Sequence, residues 1–376
     1  MRKILIIMGR YLPGYKDGGP VRSIKNLTDY LGDEYEFRIL TTDRDHGDTD
    51  SYPAIKKNSW NRVGKAMVYY VRPGGFRQKL IIEISEQADM VYVCGCFSDY
   101  SITTLILKRI RQIKKPVVIA SMGLFMPNAM KKKPLKYKSF ITVFRCLGMF
   151  NNIMWSCSSG FEAECTRNII GKRARCFIAE DLPRMVNPAP IIKSKKTGEL
   201  RVFFISRISP EKNLLQTIEI LKLCKGNIWF TIYGPVHNES YWENVKQELK
   251  KLPGNIHAEY KGNIESENVI ETLKKEHVFL FTTIGENFSH VTQEALSAGC
   301  PCVISDQTPW NDLEENGCGF VLPLKDNKAF AKKIDQYALM DEPEFQRAVH
   351  AAHSYAIKVS NNKVKNTGYR KIFNIE

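Results

Sequence analysis

Two carboxylates eight positions apart, Glu286 and Glu294, stand where the chain turns from an apolar run toward a helical pattern. The run Val278–Phe281 predicts a buried strand, and Thr282, Thr283 and Gly285 punctuate its end. A helix is expected to start near Ser289 and to close at Gly299, with Pro301 just beyond. Glu286 then lies on the loop at the strand's carboxyl end, and Glu294 about one turn into the helix. The amides of Phe288, Ser289 and His290, with Asn287 ahead of them, belong to a helix start and have no intrahelical acceptor. A diphosphate fits there, with one acid for a sugar and the other for a ribose.

Upstream, the strand-like run Leu200–Ser206 leads into Arg207, and Lys212 follows five positions later across a turn that opens a helix. Both can reach one anion, the arginine as a planar fork and the lysine as a point charge. On its own the pair could equally be a solvated loop arginine and a first-turn lysine. Near the amino end, Gly18 and Gly19 separate a first strand from a helix, letting main chain approach a ligand closely. A simple turn is the alternative. The segment is not G-x-G-x-x-G, so no dinucleotide cofactor is indicated.

Three further segments draw notice. Ala120–Pro127 follows a strand and contains Met122. Lys131, Lys132, Lys133 and Lys136 interleave with large apolar residues up to Arg145 at roughly helical spacing, which suits an anionic lipid surface. A core-packed helix with a solvated basic face gives the same pattern. Asp43-Arg44-Asp45 and Asp48-Thr49-Asp50 could hold a metal against a diphosphate, but such triplets arise by chance, and no metal is expected. Tyr241, Trp242 and Trp310 are expected to pack rather than to serve as sugar platforms.

Together, Ser206-Arg207…Lys212, the Glu286-x7-Glu294 element and the tail Ser297-Ala298-Gly299-Cys300-Pro301…Ser305-Asp306…Thr308-Pro309-Trp310 resemble the retaining glycosyltransferases of family GT4, closest to bacterial members that build surface polysaccharides. The resemblance implies the GT-B fold: two Rossmann-like α/β domains with parallel sheets facing across a cleft. It implies that Glu294 binds the ribose, Glu286 the transferred sugar, and Arg207 and Lys212 the diphosphate leaving group. Gly18 and Gly19 would line the donor phosphates and acceptor, and the Met122 loop the cleft. Family members usually have Gly where Ser289 stands, often His or Arg at Met122, and often His at Cys94. The implied activity is transfer of a hexose from a nucleotide sugar, UDP-linked, to a lipid-linked or growing saccharide of the O-antigen, capsule or exopolysaccharide kind. The implied place is the cytoplasm, peripheral at the inner face of the plasma membrane. A nucleotide-sugar epimerase of the same fold and an inactive, transferase-derived binding protein are the alternatives.

The rest of the chain must position these residues. Its 376 residues, 43% apolar and 25% charged, suffice for about two domains. Alternating strand and helix patterns imply parallel sheets covered on both faces. The expected division is 1–182, a Pro- and Lys-rich linker 183–198, 199–360, and a terminal helix within 361–376 returning to the first domain. No apolar run reaches the ~20 residues of a membrane span, and the apolar start reads as a strand rather than a signal peptide. Ten cysteines form no disulfide framework and read as reduced thiols. Cys94/Cys96 and Cys300/Cys302, as alternate residues of strands, are expected to point the same way within each pair. The net charge of +15 is lopsided: residues 1–190 hold 31 Lys/Arg against 17 Asp/Glu, and residues 191–376 hold 24 against 23. That asymmetry suggests an anionic partner for the first half, although a solubilising basic face would look the same. Nucleic acid is not expected, because no reading motif accompanies the charge.

Overall fold

The structure is a computed structural model and describes residues 1–132, 134–286 and 288–375; the side chains of Asn128, Lys131, Lys132, Pro134 and Lys136 also lie outside the described set. The chain divides into two compact units, one formed by Met1–Leu182 with Lys363–Glu376 and the other by Pro183–Asn362.

The first unit runs β1 (Arg2–Ile7), α1 (Gly19–Leu31), β2 (Tyr35–Thr42), β3 (Trp60–Val63), β4 (Ala66–Val71), α2 (Gln78–Glu86), β5 (Met90–Cys94), α3 (Asp99–Arg109), β6 (Val117–Ala120), α4 (Pro127–Lys132), α5 (Pro134–Cys146), β7 (Ile153–Cys157), α6 (Gly160–Ile170) and β8 (Arg175–Ile178). Its sheet has the order β3-β4-β2-β1-β5-β6-β7-β8. Every pairing is parallel except the edge hairpin β3–β4. Alternation along β1 sends Ile4 and Ile6 into one core and Leu5 and Ile7 into the other. Both faces are thereby covered, as a parallel sheet requires.

The second unit runs β9 (Glu199–Ile205), α7 (Leu214–Leu221), β10 (Asn227–Tyr233), α8 (Glu239–Leu249), β11 (Ile256–Gly262), α9 (Val269–Leu273), β12 (Val278–Phe281), α10 (His290–Ser297), β13 (Cys302–Ser305), β14 (Gly319–Leu322), α11 (Asn327–Leu339) and α12 (Glu342–Lys365). Its sheet is parallel in the order β11-β10-β9-β12-β13-β14. The chain then returns to the first unit as α13 (Tyr369–Phe373), whose Tyr369, Ile372 and Phe373 join the core built on Ile4, Phe37 and Tyr92.

Each sheet reverses its winding once. From β9 the chain adds β10 and β11 on one side, then returns to place β12 on the other; β1 stands likewise between β2 and β5. At such a switch point the loops leaving two neighbouring strands part in opposite directions and leave a crevice at their carboxyl ends.

Several local expectations are corrected. The terminal helix expected within 361–376 is instead the end of one long helix, Glu342–Lys365, followed by the short α13, because no breaker interrupts 360–363. Residues 183–198 belong to the second unit rather than hanging free. Lys193 is buried there, its ammonium donating to the carbonyls of Leu273 at 3.1 Å and Glu276 at 2.5 Å. Cys94 and Cys96 do not point the same way: β5 ends at Cys94, Gly95 turns at φ 85°, and the two thiols enter opposite cores. Cys300 and Cys302 share one core. No helix among the described residues is long and apolar enough to cross a membrane.

Candidate functional site

The site in the second unit grows from the switch point between β9 and β12, which pair through Val278↔Val202 and Phe279↔Phe203. Arg207 lies two residues beyond β9, and a single 3-10 turn, Pro210–Lys212, follows it. Asn213 then takes the left-handed conformation, φ 59° and ψ 39°, and opens α7. That loop is stapled to the neighbouring one. Ile284 N and Thr283 Oγ1 donate to the Glu211 carbonyl at 3.1 and 3.2 Å, and Thr282 Oγ1 donates to Asn213 O at 2.9 Å. Thr282 and Thr283 are fully buried, so these bonds are shielded from water.

The staple brings Lys212 to Glu286, 74 positions away in sequence. Lys212 Nζ donates to Glu286 Oε1 at 2.5 Å. The two side chains are 13% and 14% exposed, so the pair is screened from solvent far more than a surface ion pair. The Glu286 amide donates to Gln307 O at 3.0 Å, fixing its loop against the segment after β13. Arg207 is half-buried and makes no hydrogen bond or ion pair with a described residue. The loop after β9 thus carries one cation held by a carboxylate, Lys212, and one, Arg207, with no described partner.

α10 begins four residues beyond Glu286. Ser289 is its N-cap and sits at φ 62°, ψ 70°, the left-handed region that favours glycine. Its hydroxyl bonds Thr292 Oγ1 at 2.8 Å, a local compensation for that backbone. The carbonyl of Ser289 accepts from the amides of Thr292 and Gln293, so the amides ahead of them are those a helix leaves without an intrahelical acceptor. Trp310 pins the entrance by donating Nε1–H to Phe288 O at 2.6 Å, and the ring of Phe288 packs on those of His290 and Trp310. Glu294 is buried one turn in, 2% exposed. Asn287 lies outside the described residues. Tyr241, Trp242 and Trp310 are all buried in the core.

In the first unit, Gly18 caps α1 at φ 64°, and a Cβ at Gly18 or Gly19 would meet nothing within 4 Å. The glycine pair is thus an open main-chain surface, with Gly18 alone requiring its residue type. Of the four acids considered for metal, Asp45 and Asp48 bind this loop and Asp43 binds its own neighbour. Asp45 accepts from the amides of Tyr15 at 2.8 Å and Lys16 at 3.1 Å, Asp48 pairs with Lys16, and Asp43 pairs with Arg44 at 2.8 Å. Among the described residues no group of acids, cysteines and histidines has metal-binding geometry.

Met122 stands at φ 48° and Gly123 at φ 76°, two consecutive left-handed residues at the carboxyl end of β6. Glu162, which the sequence reading passed over, holds them. It is 1% exposed; Oε1 accepts from Ser121 Oγ at 2.8 Å and from the Gly123 amide, and Oε2 from the amide and hydroxyl of Ser158 at 2.6 and 2.7 Å. Asp181 was also missed: burial pushes its carboxyl up to about 6, against the pull of a hydrogen bond from Ser23 on α1. Burial likewise pushes the Cys94 thiol up, so at neutral pH it is a neutral group. The only sequence signal for Glu162 was an acid in the first turn after a Ser-Ser step, a common capping pattern. Lys133 and the side chains of Lys131, Lys132 and Lys136 lie outside the described residues.

Residues 189–354 match the protein family described as glycosyl transferases group 1. No curated protein sequence matches the chain. Among solved structures, HepE from Anabaena, in complex with UDP and glucose, is similar with a TM-score of 0.67 and 14% identity, over 97% of this chain and 98% of that one. WaaG, a glycosyltransferase involved in lipopolysaccharide biosynthesis, gives 0.62 and 13% over 96% and 98%. A glycosyltransferase from Rickettsia africae gives 0.66 and 16% over 99% and 97%. At these identities the likeness establishes the fold: two parallel-sheet α/β units of the GT-B type. The family match lies wholly within the unit that carries Arg207, Lys212, Glu286 and Glu294.

Proposed function

We propose that this protein is a retaining glycosyltransferase that moves a hexose from a UDP-linked donor to a lipid-linked or growing saccharide in surface-polysaccharide synthesis, working peripherally at the inner face of the plasma membrane. The observation that carries the reading is the Lys212–Glu286 pair, which ties the loop after β9, carrying Arg207, to the loop that leads into α10, at the switch point between β9 and β12. The family match over this unit, and the UDP and glucose bound by the structurally similar HepE, support it.

The chemistry follows from the charges. As the bond from the anomeric carbon to the diphosphate oxygen breaks, positive charge grows on the sugar and negative charge on the leaving group. Arg207, Lys212 and the α10 amides stabilise that oxygen, in the role a divalent metal plays elsewhere. The acceptor hydroxyl adds to the anomeric carbon from the face the diphosphate leaves, and its proton passes to a leaving-phosphate oxygen. The products are the glycoside and the nucleoside diphosphate, with no protein base required. Glu286 orients the sugar hydroxyls and Glu294 the ribose. Gly18 and Gly19 offer main chain to the donor phosphates, Met122 belongs to the acceptor side, and the Lys131–Lys136 segment meets anionic lipid.

A panel of UDP- and GDP-sugars, offered with membranes and read by nucleotide release, tests the activity. Calorimetry of the same donors with Arg207→Ala and Glu294→Ala tests the site. Each variant is expected to lose donor affinity by about tenfold or more, the worth of a charge-assisted hydrogen bond. Donor affinity unchanged in both variants would overturn the assignment.

A further inference from the structure

A second candidate site lies at the opposite end of the strands in the first unit's sheet. At the amino-terminal ends of β6, β7 and β8, away from the Met122 loop, a cavity of about 780 Å³ opens. It is lined by Lys108, Lys114, Arg173 and Arg175, with Asn151 and Asn152 beside them, over an apolar floor that includes Phe150. Among the described residues no carboxylate appears in its lining, which also includes Ile375, and residues 101–150 contain no Asp or Glu at all.

Basic residues often gather at helix ends, where they complement free carbonyls. Lys108 fits that role: it lies in the last turn of α3, and its ammonium donates to the carbonyls of Lys114 at 3.3 Å and Lys115 at 2.8 Å. Partial burial there holds its pKa below the usual lysine range. The other three do not fit it. Lys114 lies five residues past α3, Arg173 three past α6, and Arg175 begins β8. None of the three makes an ion pair or side-chain hydrogen bond with a described residue. Four like charges around one concavity repel one another, and an anion seated among them relieves that repulsion.

We propose that this cavity binds a phosphate or diphosphate group carried on a larger organic body. The two guanidiniums, two residues apart, can fork onto phosphate oxygens. The asparagines offer neutral donors, and the apolar floor accepts the attached carbon skeleton. Beside the cavity, Arg109 Nε donates to Leu147 O at 3.0 Å, joining two turns that expose Ile110 and Leu147 at 58% and 57%. That apolar margin admits a lipid headgroup as the source of the phosphate as readily as a soluble phosphate ester. The site is separate from the proposed donor site and does not depend on it.

The test compares the full chain with Lys114→Ala/Arg173→Ala/Arg175→Ala. A control, Lys56→Ala/Arg62→Ala/Arg77→Ala, removes equal charge elsewhere on the same unit. All six side chains are exposed; should the triple variant melt early, Lys114→Gln/Arg173→Gln replaces it. Inorganic pyrophosphate is titrated by calorimetry, and flotation is run with phosphatidylcholine vesicles containing about one-fifth phosphatidylglycerol. Pyrophosphate bound at the donor site is common to all the chains, so only the difference between them reports the cavity. The expected result is a loss of about tenfold or more with at least one probe in the cavity variant, with the control unchanged. Loss with pyrophosphate identifies a soluble ligand, and loss with vesicles alone a headgroup. Equal behaviour of the two variants with both probes overturns the proposal.

Discussion

Replacing Glu286 by glutamine should tighten the binding of UDP while slowing sugar transfer. In the unliganded protein Glu286 Oε1 lies 2.5 Å from Lys212 Nζ, with both groups mostly shielded from water. A phosphate oxygen that meets the same ammonium stands about 5 Å from the carboxylate, and two negative charges then compete for one lysine. At that separation, with an effective dielectric between roughly 20 and 80, the repulsion costs about 1–3 kcal/mol. Removing the charge while keeping the shape should therefore strengthen UDP binding by about 5- to 150-fold. A nucleotide sugar should gain less, because the carboxylate's hydrogen bonds to sugar hydroxyls are weakened at the same time, each worth about 1.5–3 kcal/mol. The expected signature is a split: UDP much tighter, UDP-sugar near unchanged, kcat reduced. Calorimetry with the two ligands on wild type and Glu286→Gln measures it. Weaker or unchanged UDP binding would show that Glu286 and the diphosphate do not share Lys212.

Ser289→Gly should leave stability within about 1 kcal/mol of wild type, because relief of the left-handed backbone offsets the lost bond to Thr292. Urea unfolding checks this, and donor affinity should stay within about threefold; a larger loss would make the hydroxyl itself a ligand contact. Glu162→Gln turns an amide group toward donors that need an acceptor, so hydrogen exchange at the Gly123 amide should quicken by about 100-fold, the equivalent of ~3 kcal/mol. His277 gives a pH dependence: burial, with Arg201 and Lys193 nearby, holds its pKa down to about 3. A depressed pKa contributes stability above the unfolded value near 6.5 that is lost as pH falls toward 3, at a slope of up to about 1.4 kcal/mol per pH unit. Unfolding of the second unit followed from pH 7 to pH 4 should show that loss, and His277→Gln should flatten the slope.

Much of the donor-side element was legible because its signals are local. The apolar run before Glu286, the turn residues and the closing Gly299 all fall within about two dozen positions, and they set β12, the loop and α10. β1, β5 and β9 were readable for the same reason, as short apolar runs bounded by polar turns. β7 was not read. Ile153–Cys157 is a short run set off by Asn151-Asn152 before it and Ser158-Ser159-Gly160 after it, a turn signal present in the sequence but placed close behind the apolar stretch of α5. β3, α2, β14 and α11 were also passed over: two are short half-exposed strands and α2 has no side-chain cap, whereas α11 does carry a signal, Asp326 accepting from the Ala329 amide at 2.9 Å. The left-handed backbone at Met122 and Ser289 could not be inferred from residues that ordinarily avoid it.

The amino-acid sequence by itself determined which residues could carry charge to a phosphate and which segments would be strand or helix, since periodicity and turn chemistry act over a few neighbours. Only the tertiary structure decided what those charges meet. Lys212 finds Glu286 across 74 positions, Glu162 finds the Gly123 amide across 39, and Asp45 finds the Tyr15 amide across 30. Such pairings depend on the order of strands in each sheet. That order is fixed by how whole helices cover the sheet faces, a balance of burial spread over the entire core rather than written at any one position.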